Sequence, residues 1–374
     1  VTTVQEVLQT LEEWGDKWNK QVGGEVAYNP NDPTLFPPPI PTGYPTLDEM
    51  MGGGIPRGRV TMLIGLESAG KTLLSQLMIA AAQRQGGRAV FIDAERTFDP
   101  RWFSMTGVDL DPKRLLVVRP ETLEQSFDML ADALRNLEPD IIVWDSITSL
   151  LPSSIMDASM VDSDNRGVAA RKTTEGITRT VGLNKKVAVV VINQIRTDMT
   201  VKWGNPESSP GGFALKHHTS LRLRVRRGEW VYAGGKTAVG PENPEAFLDL
   251  GDEKSKKKIG YLMRIRADKN KIAPPYQEIE LTVMFNGTVD GVASLVHNAI
   301  ARGVIEQPTA GYFVIPDTCG RKIHGRPAVE NIVRQDDEIY ERVRDLNAAA
   351  AAAHGPVIEG SPEWYEERAA ADAN

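Results

Sequence analysis

Apolar residues recur along this chain in two distinct periods. Between 4 and 20, Val4, Val7, Leu8, Leu11, Trp14 and Trp18 fall three or four apart, which predicts a helix with one apolar face. A proline-rich stretch from Asn29 to Pro45 follows and predicts an extended connector, because proline cannot sustain a helix interior. The middle of the chain then switches to short, continuous apolar runs. VTMLI (60–64), AVFID (89–93), LLVV (115–118), IIVWD (141–145) and VAVVVIN (187–193) predict buried strands. The segments near 71–85, 122–136 and 167–182 have the length and spacing of helices. Such alternation predicts an α/β fold with a mostly parallel sheet covered on both faces.

Three more β-rich runs lie at 220–227, 261–269 and 278–285. Between the first two, Gly228 to Lys258 is rich in glycine, proline and charge, and reads as either a long hairpin or a mobile insertion. From about 290 the pattern changes to short helices and turns. The organisation this implies is an N-terminal helix and linker (1–41), a core (42–288), a small C-terminal domain (289–350) and an acidic disordered tail (351–374). Six alanines at 348–353 suit a helix end or a linker.

Charge and composition narrow the classes. No apolar run is long enough for a membrane span, and the first residues lack the basic start and apolar stretch of a signal peptide. The single cysteine, Cys319, excludes an internal disulfide and a Cys-based zinc module, which suits a reducing cytoplasm or nucleoid. A net charge of −7 argues weakly against a nucleic-acid partner. The distribution softens that argument. Arg222, Arg224, Arg226 and Arg227 cluster, as do basic residues from Lys254 to Lys271, while carboxylates gather from Glu359 to Asp372.

The strongest chemical signal is Gly65-Leu66-Glu67-Ser68-Ala69-Gly70-Lys71-Thr72, a G-x-x-x-x-G-K-[ST] run between a predicted strand and a predicted helix. In such a loop backbone N–H groups curl around phosphate oxygens and the helix N-terminus adds its dipole. Lys71 then neutralises β and γ phosphates, and Thr72 ligates Mg2+. The nucleotide contacts extend over Gly65, Glu67, Ser68, Ala69, Gly70, Lys71, Thr72 and Leu73. Asp145, ending IIVWD, is the expected second magnesium partner, with Ser146 beside it. Glu95, just past FID, and Gln194, ending VVVIN, are candidates for the water-activating base and the γ-phosphate sensor. The residues alone leave open an ordinary solvated carboxylate and a core-edge amide.

Taken together, GLESAGKT (65–72), FIDAERTFDP (91–100), IIVWDSI (141–147), GVAARK (167–172), VVINQIR (190–196), GNPESSPGGFALK (204–216) and KNKIAPPY (269–276) resemble the bacterial RecA recombinase family. The resemblance covers most of residues 1 to about 345. It implies a RecA-type P-loop core, DNA-dependent ATP hydrolysis, and a helical filament on single-stranded DNA. That filament pairs its strand with a homologous duplex in recombination, repair and the SOS response to DNA damage. Rival readings are a RecA-fold helicase or branch-migration ATPase, and a non-catalytic regulatory paralogue.

The resemblance also assigns roles. It makes Glu95 the water-activating residue and puts Asp99 and Trp102 against adenine, with tryptophan where tyrosine is usual. One DNA loop spans about 156–166 and leads into a helix bearing Arg171 and Thr174; the other spans about 197–211. Candidate DNA contacts are Arg166, Arg171, Thr174, Arg179, Arg196, Lys202, Asn205, Gly211 and Gly212. Lys269 and Lys271 match a pair that reaches a neighbouring protomer's γ-phosphate, and the N-terminal helix packs on an adjacent subunit. Leu66 stands where proline is usual, His217 and His218 where aromatic residues are usual, and the 228–258 segment is long for the family. These departures mark a divergent member, of the kind a phage genome could carry.

Overall fold

The computed structural model describes residues 4–24, 26–30, 32, 34–156, 167–197, 207–208, 212–232, 237–238, 258–316 and 320–353. The chain divides into two compact units, one ending at Pro38 and the other starting at Pro39. The first contains helix α1 (Val4–Val22). The apolar spacing brings the Trp14 and Trp18 rings to 5.9 Å. Asn19 fastens the chain after the helix: its Oδ1 accepts the Val26 and Ala27 N–H groups at 2.8 Å each, and its Nδ2 donates to the Ala27 carbonyl.

The second unit opens with α2 (Pro45–Met50), β1 (Val60–Gly65), α3 (Lys71–Arg84), β2 (Ala89–Asp93), α4 (Pro100–Met105) and β3 (Leu115–Val118). Next come α5 (Leu123–Asp132) with a π-helical turn at Ala133–Leu137, β4 (Ile141–Asp145), α6 (Ser153–Met156), α7 (Val168–Leu183) and β5 (Ala188–Gln194). A small pair, β6 (Arg196–Thr197) and β7 (Glu207–Ser208), precedes α8 (Gly212–His218). The sheet is completed by β8 (Leu221–Tyr232), β9 (Thr237–Ala238), β10 (Lys258–Asn270), β11 (Glu278–Met284) and β12 (Val289–Asp290). Its order is β12-β11-β10-β8-β1-β5-β4-β2-β3, with β9 paired to β8. From β8 to β3 every pairing is parallel; β9, β10, β11 and β12 pair antiparallel.

The five strands expected from the apolar runs therefore form, each within a residue of its expected ends. Two buried clusters sandwich the parallel strands. On one face Leu63, Phe91, Val143 and Val190 meet Leu47 of α2 and Leu74 and Met78 of α3. On the other, Met62, Ile92, Trp144 and Val191 meet Phe127 of α5, Ile177 of α7 and Leu215 of α8. Alternate residues of each strand face opposite layers, so both must be apolar, which is why the runs are unbroken. A third cluster lies further on, around Leu295, Ile305, Phe313 and Val333. It is built from α9 (Gly291–Ala301), β13 (Glu306–Thr309), β14 (Tyr312–Val314), β15 (Ile323–His324), α10 (Arg326–Gln335) and α11 (Asp337–Ala353). The six alanines end α11 as helix.

Local rules explain the boundaries that the apolar pattern missed. Pro45 does not prolong the extended connector but begins α2, because proline's fixed φ suits the first helical turn and its absent N–H costs nothing there. Pro100 does the same for α4, where the Asp99 carboxylate accepts the N–H groups of Arg101 and Trp102. Gly228–Tyr232 and the residues from Lys258 onward are strand, so the long segment starts as a hairpin stem. Residues 239–257, the acidic tail from 354 and Cys319 lie outside the described residues. Among the described residues no helix is long and apolar enough to cross a membrane.

One contact between helices leaves no room for change. A Cβ added to Gly176 of α7 would fall 2.4 Å from the ring carbons of Phe127 on α5. Phe127 in turn meets Trp144 of β4 edge-on, with centroids 4.9 Å apart. Gly176→Ala should lower unfolding stability by about 1–3 kcal/mol, because the buried ring cannot retreat without repacking. The midpoint of a urea transition measures this; an unchanged midpoint would show that the seam has slack.

Candidate functional site

Parallel register gathers the candidate residues at one edge of the sheet. Gly65 at the end of β1 stands opposite Gln194 at the end of β5, and Asp93 of β2 opposite Asp145 of β4. This is the carboxyl end of the strands, where open α/β sheets bind ligands. The glycine-rich loop leaves β1 here and returns as α3, whose N-terminus carries no side-chain cap. Its first N–H groups therefore point into the loop as anion donors. Gly70 holds φ 96°, and a Cβ there would sit 2.5 Å from Met263 Cε and 2.8 Å from the Tyr261 hydroxyl.

Lys71 is buried and donates from Nζ to the carbonyls of Leu66 (2.7 Å) and Gly65 (3.1 Å). Burial lowers its pKa below the usual lysine value, against the opposing charges of Asp145, Glu95 and Glu67. Thr72 Oγ1 donates to Asp145 Oδ2 at 2.6 Å. Burial, with the charges of Glu95 and Asp93, pushes the Asp145 carboxyl up to about 6 against the hydrogen bond from Thr72 and the charge of Lys71. A carboxylate held this way is short of positive charge.

Glu95 is the centre of a hydrogen-bond cluster. Its Oε1 accepts from Ser146 Oγ (2.6 Å), Ser149 Oγ (3.0 Å) and Gln194 Nε2 (3.0 Å). The two residues proposed to handle water and phosphate thus touch directly. Their backbone support comes from β4: the Asp145 carbonyl accepts the Ala94 and Glu95 N–H groups at 2.8 and 3.2 Å.

Beside the loop lies a cleft of about 280 Å³. Residues Ser68 to Leu73 line one part of it; Trp102, Tyr261, Val283, Met284 and Phe285 line the rest. Trp102 therefore sits where an aromatic ring could meet a base. Asp99 uses Oδ1 to cap α4, which fixes the helix that presents Trp102.

Comparison with known proteins agrees with this geometry. The family model for the RecA N-terminal domain matches residues 32–243, more than half of the chain. Protein RecA of Thermus aquaticus is 35% identical over 345 residues, spanning 91% of this chain and 92% of that protein. Protein RecA of Thermus thermophilus is 36% identical over 308 residues, 82% of this chain and 83% of the relative. Protein RecA of Heliobacterium modesticaldum is 35% identical over 325 residues, 84% and 86% of the two chains. The chain belongs to the RecA family. It is a nucleotide-binding, DNA-dependent ATPase of DNA recombination and repair, and nothing in the comparisons favours a helicase or a regulatory paralogue.

None of the other RecA-family candidates among the described residues lines the cleft. Arg171, Thr174 and Arg179 are exposed on α7. Thr174 Oγ1 donates to the Ala170 carbonyl, and Arg179 Nη1 donates to Asp128 Oδ1 at 2.8 Å. Arg196 pairs in register with Ser208, and Gly212 begins α8. Arg166, Lys202, Asn205 and Gly211 lie outside the described residues. Lys269 Nζ donates to the carbonyls of Lys216 (2.8 Å) and His217 (2.9 Å) at the end of α8. Lys271 is exposed; its N–H bonds to Ser220, whose own N–H bonds to Val60. The lysine pair is therefore level with the start of β1, while the phosphate loop leaves its end, roughly 16 Å away along the strand. His218 Nε2 lies 3.3 Å from Thr178 Oγ1 of α7, and His217 is exposed.

Sequence reasoning missed three features. Asp93 is fully buried and accepts from the N–H groups of Thr97 and Phe98 and from Arg119 Nε, so it shapes the loop that carries Glu95. Ser149 joins Glu95, although only Ser146 was visible beside Asp145. Tyr261 and Phe285 line the cleft from strands far along the chain. An aspartate ending an otherwise apolar strand was the one available signal.

Gly70→Ala combines the clash with Tyr261 and Met263 with a left-handed backbone that costs a side chain about 1–2 kcal/mol. The variant should keep its secondary structure and bind nucleotide at least about tenfold more weakly. Titration with a fluorescent nucleotide, with circular dichroism as the folding control, measures both. Wild-type affinity would mean that the loop tolerates displacement.

Proposed function

We propose that this chain binds ATP with Mg2+ at its P-loop, assembles as a helical filament on single-stranded DNA, and pairs that strand with homologous double-stranded DNA. The observation that carries the ATP chemistry is the convergence of Lys71, Thr72, Asp145, Glu95 and Gln194 at one sheet edge. Filament and DNA roles come from family membership. A nucleoid location follows from a DNA substrate.

Each residue then has a chemical role. Backbone N–H groups of Gly65 to Leu73 and the ammonium of Lys71 bind the phosphates. Bound magnesium would neutralise phosphate charge, held by the Thr72 hydroxyl and, through water, by Asp145. The residues fit such an ion: the Thr72–Asp145 pair is preassembled at 2.6 Å, and burial beside two other carboxylates leaves Asp145 short of a cation. Glu95 accepts the proton of the attacking water, and Gln194, bonded to Glu95, reads the γ-phosphate. The Trp102 ring meets the base.

Lys269 and Lys271 act on a neighbouring protomer's γ-phosphate. Their place at the opposite end of β1 from the chain's own P-loop supports a role in trans. ATP then strengthens contacts between protomers, and by linkage those contacts strengthen ATP binding. Arg166, Arg171, Thr174, Arg179, Arg196, Lys202, Asn205, Gly211 and Gly212 contact DNA, the charged ones through phosphates. Residues 289–350 form the small C-terminal domain.

Two experiments test these roles. Glu95→Gln preserves an oxygen for Ser146, Ser149 and Gln194 but removes the base. It should bind ATP and DNA normally and hydrolyse ATP slower by about a hundredfold or more. Wild-type turnover would return Glu95 to an ordinary hydrogen-bonding role. The second experiment mixes Lys269→Ala with Lys71→Ala protein on single-stranded DNA. An interface that joins an intact P-loop to intact donor lysines can still form, so ATPase activity should exceed the sum of the two variants alone. Activity no greater than that sum would remove the trans role.

A further inference from the structure

The strands β8 and β10 run past the core as the stem of the long 228–258 segment, and an aromatic group sits in that stem. Trp230 stands directly opposite Tyr261 in the antiparallel register. Its ring lies edge-on to Tyr261 (6.4 Å, 77°) and to Phe285 (6.0 Å, 70°). The Arg227 guanidinium and the Lys258 ammonium lie 5.0 and 4.9 Å from its centroid, within cation–π range. The Phe285 N–H donates to the Ile259 carbonyl at 2.9 Å, so the end of β11 is tied to the same stem.

Tyr261 and Phe285 line the cleft beside the P-loop, whereas Trp230 is not among its lining residues. Trp230 is therefore a support for the wall and makes no part of its surface. Phe285 needs a support: its side chain is 47% exposed and hangs at a strand end. Tyr261 is held on its other side by the loop itself, its hydroxyl lying beside Gly70. Val283, Met284 and Phe285 make this part of the cleft apolar, away from the charges of Lys71 and Asp145. An apolar, aromatic wall suits a flat base and offers nothing to phosphate.

We propose that Trp230 is a positioning residue for the base of the nucleoside triphosphate. Fixed by Arg227 and Lys258, it holds Tyr261 and Phe285 as one preformed wall of the cleft. The stem of the long segment is thereby part of the nucleotide site, and its contribution is to base affinity alone. This inference rests on the reading of the cleft as the nucleotide site.

The test compares a ligand with a base to one without. Affinities of the full chain for ADP and for inorganic tripolyphosphate are measured by calorimetry for wild type, Trp230→Ala, Trp230→Leu, Trp230→Phe and Lys71→Ala. Trp230→Ala should weaken ADP binding about tenfold and leave tripolyphosphate within about twofold. In steady-state assays its KM for ATP should rise while kcat stays near wild type. Trp230→Leu keeps apolar bulk for folding and should show the same base-dependent loss; Trp230→Phe should recover most of the ADP affinity. Equal losses for both ligands, or none for ADP, overturn the proposal while Lys71→Ala still loses both ligands. If Lys71→Ala also binds both normally, the cleft is not the nucleotide site, and the underlying reading fails with it.

Discussion

Everything at the nucleotide edge depends on the register of four parallel strands. β1 meets β5 with Gly65 level with Gln194, and β2 meets β4 with Asp93 level with Asp145. A slip of one residue in any pairing would turn each side chain to the opposite face. Met62 would then leave one layer of helices and Leu63 the other, so the two apolar cores hold the register far more firmly than polar contacts could. The chemistry is placed at the strand ends as a by-product of packing that is indifferent to it. That division of labour lets the loops carry unfavourable features, such as the positive φ of Ser68 and Arg96, at the site.

Charge at this edge is arranged in tension. Asp145, Glu95 and Glu67 act on one ammonium, that of Lys71, which is itself buried, while Asp93 and Glu95 act on Asp145. Asp93 resolves its charge internally through Arg119 and two backbone N–H groups, and Glu95 through three side-chain donors. Among the described residues Asp145 accepts a single side-chain hydrogen bond, from Thr72, and its carboxyl is raised to about 6.

Much of this was legible in the chain. Continuous apolar runs announced a parallel sheet because burial on both faces demands them, and the glycine-rich loop announced a phosphate site because few other arrangements need those residues at that spacing. Glu95 and Gln194 were singled out, with candidate roles, by their position at strand ends, and the family resemblance implied the role of Glu95 alone. What remained hidden depends on distance in sequence. No spacing rule relates Trp102 to Tyr261 and Phe285, which meet only after β10 and β11 have paired. Asp93 could be seen as an oddity in an apolar strand, but its partner Arg119 lies a whole strand–helix unit further on. Pro45 read as the end of an extended connector until its place in the first turn of α2 showed it to be a start.

The seam between α5 and α7 has a mechanical meaning. α7 starts after Gly167 and crosses Phe127 at Gly176 with no clearance, and Phe127 bears edge-on against Trp144. Trp144 immediately precedes Asp145 in β4. A helix pressed on a ring in this way cannot glide past it; it can only tilt about the point of contact. Gly176 is thus a fulcrum, with the Gly167 end of α7 as one arm of the lever. Movement of that arm bears through the Phe127 ring on Trp144, the residue next to Asp145.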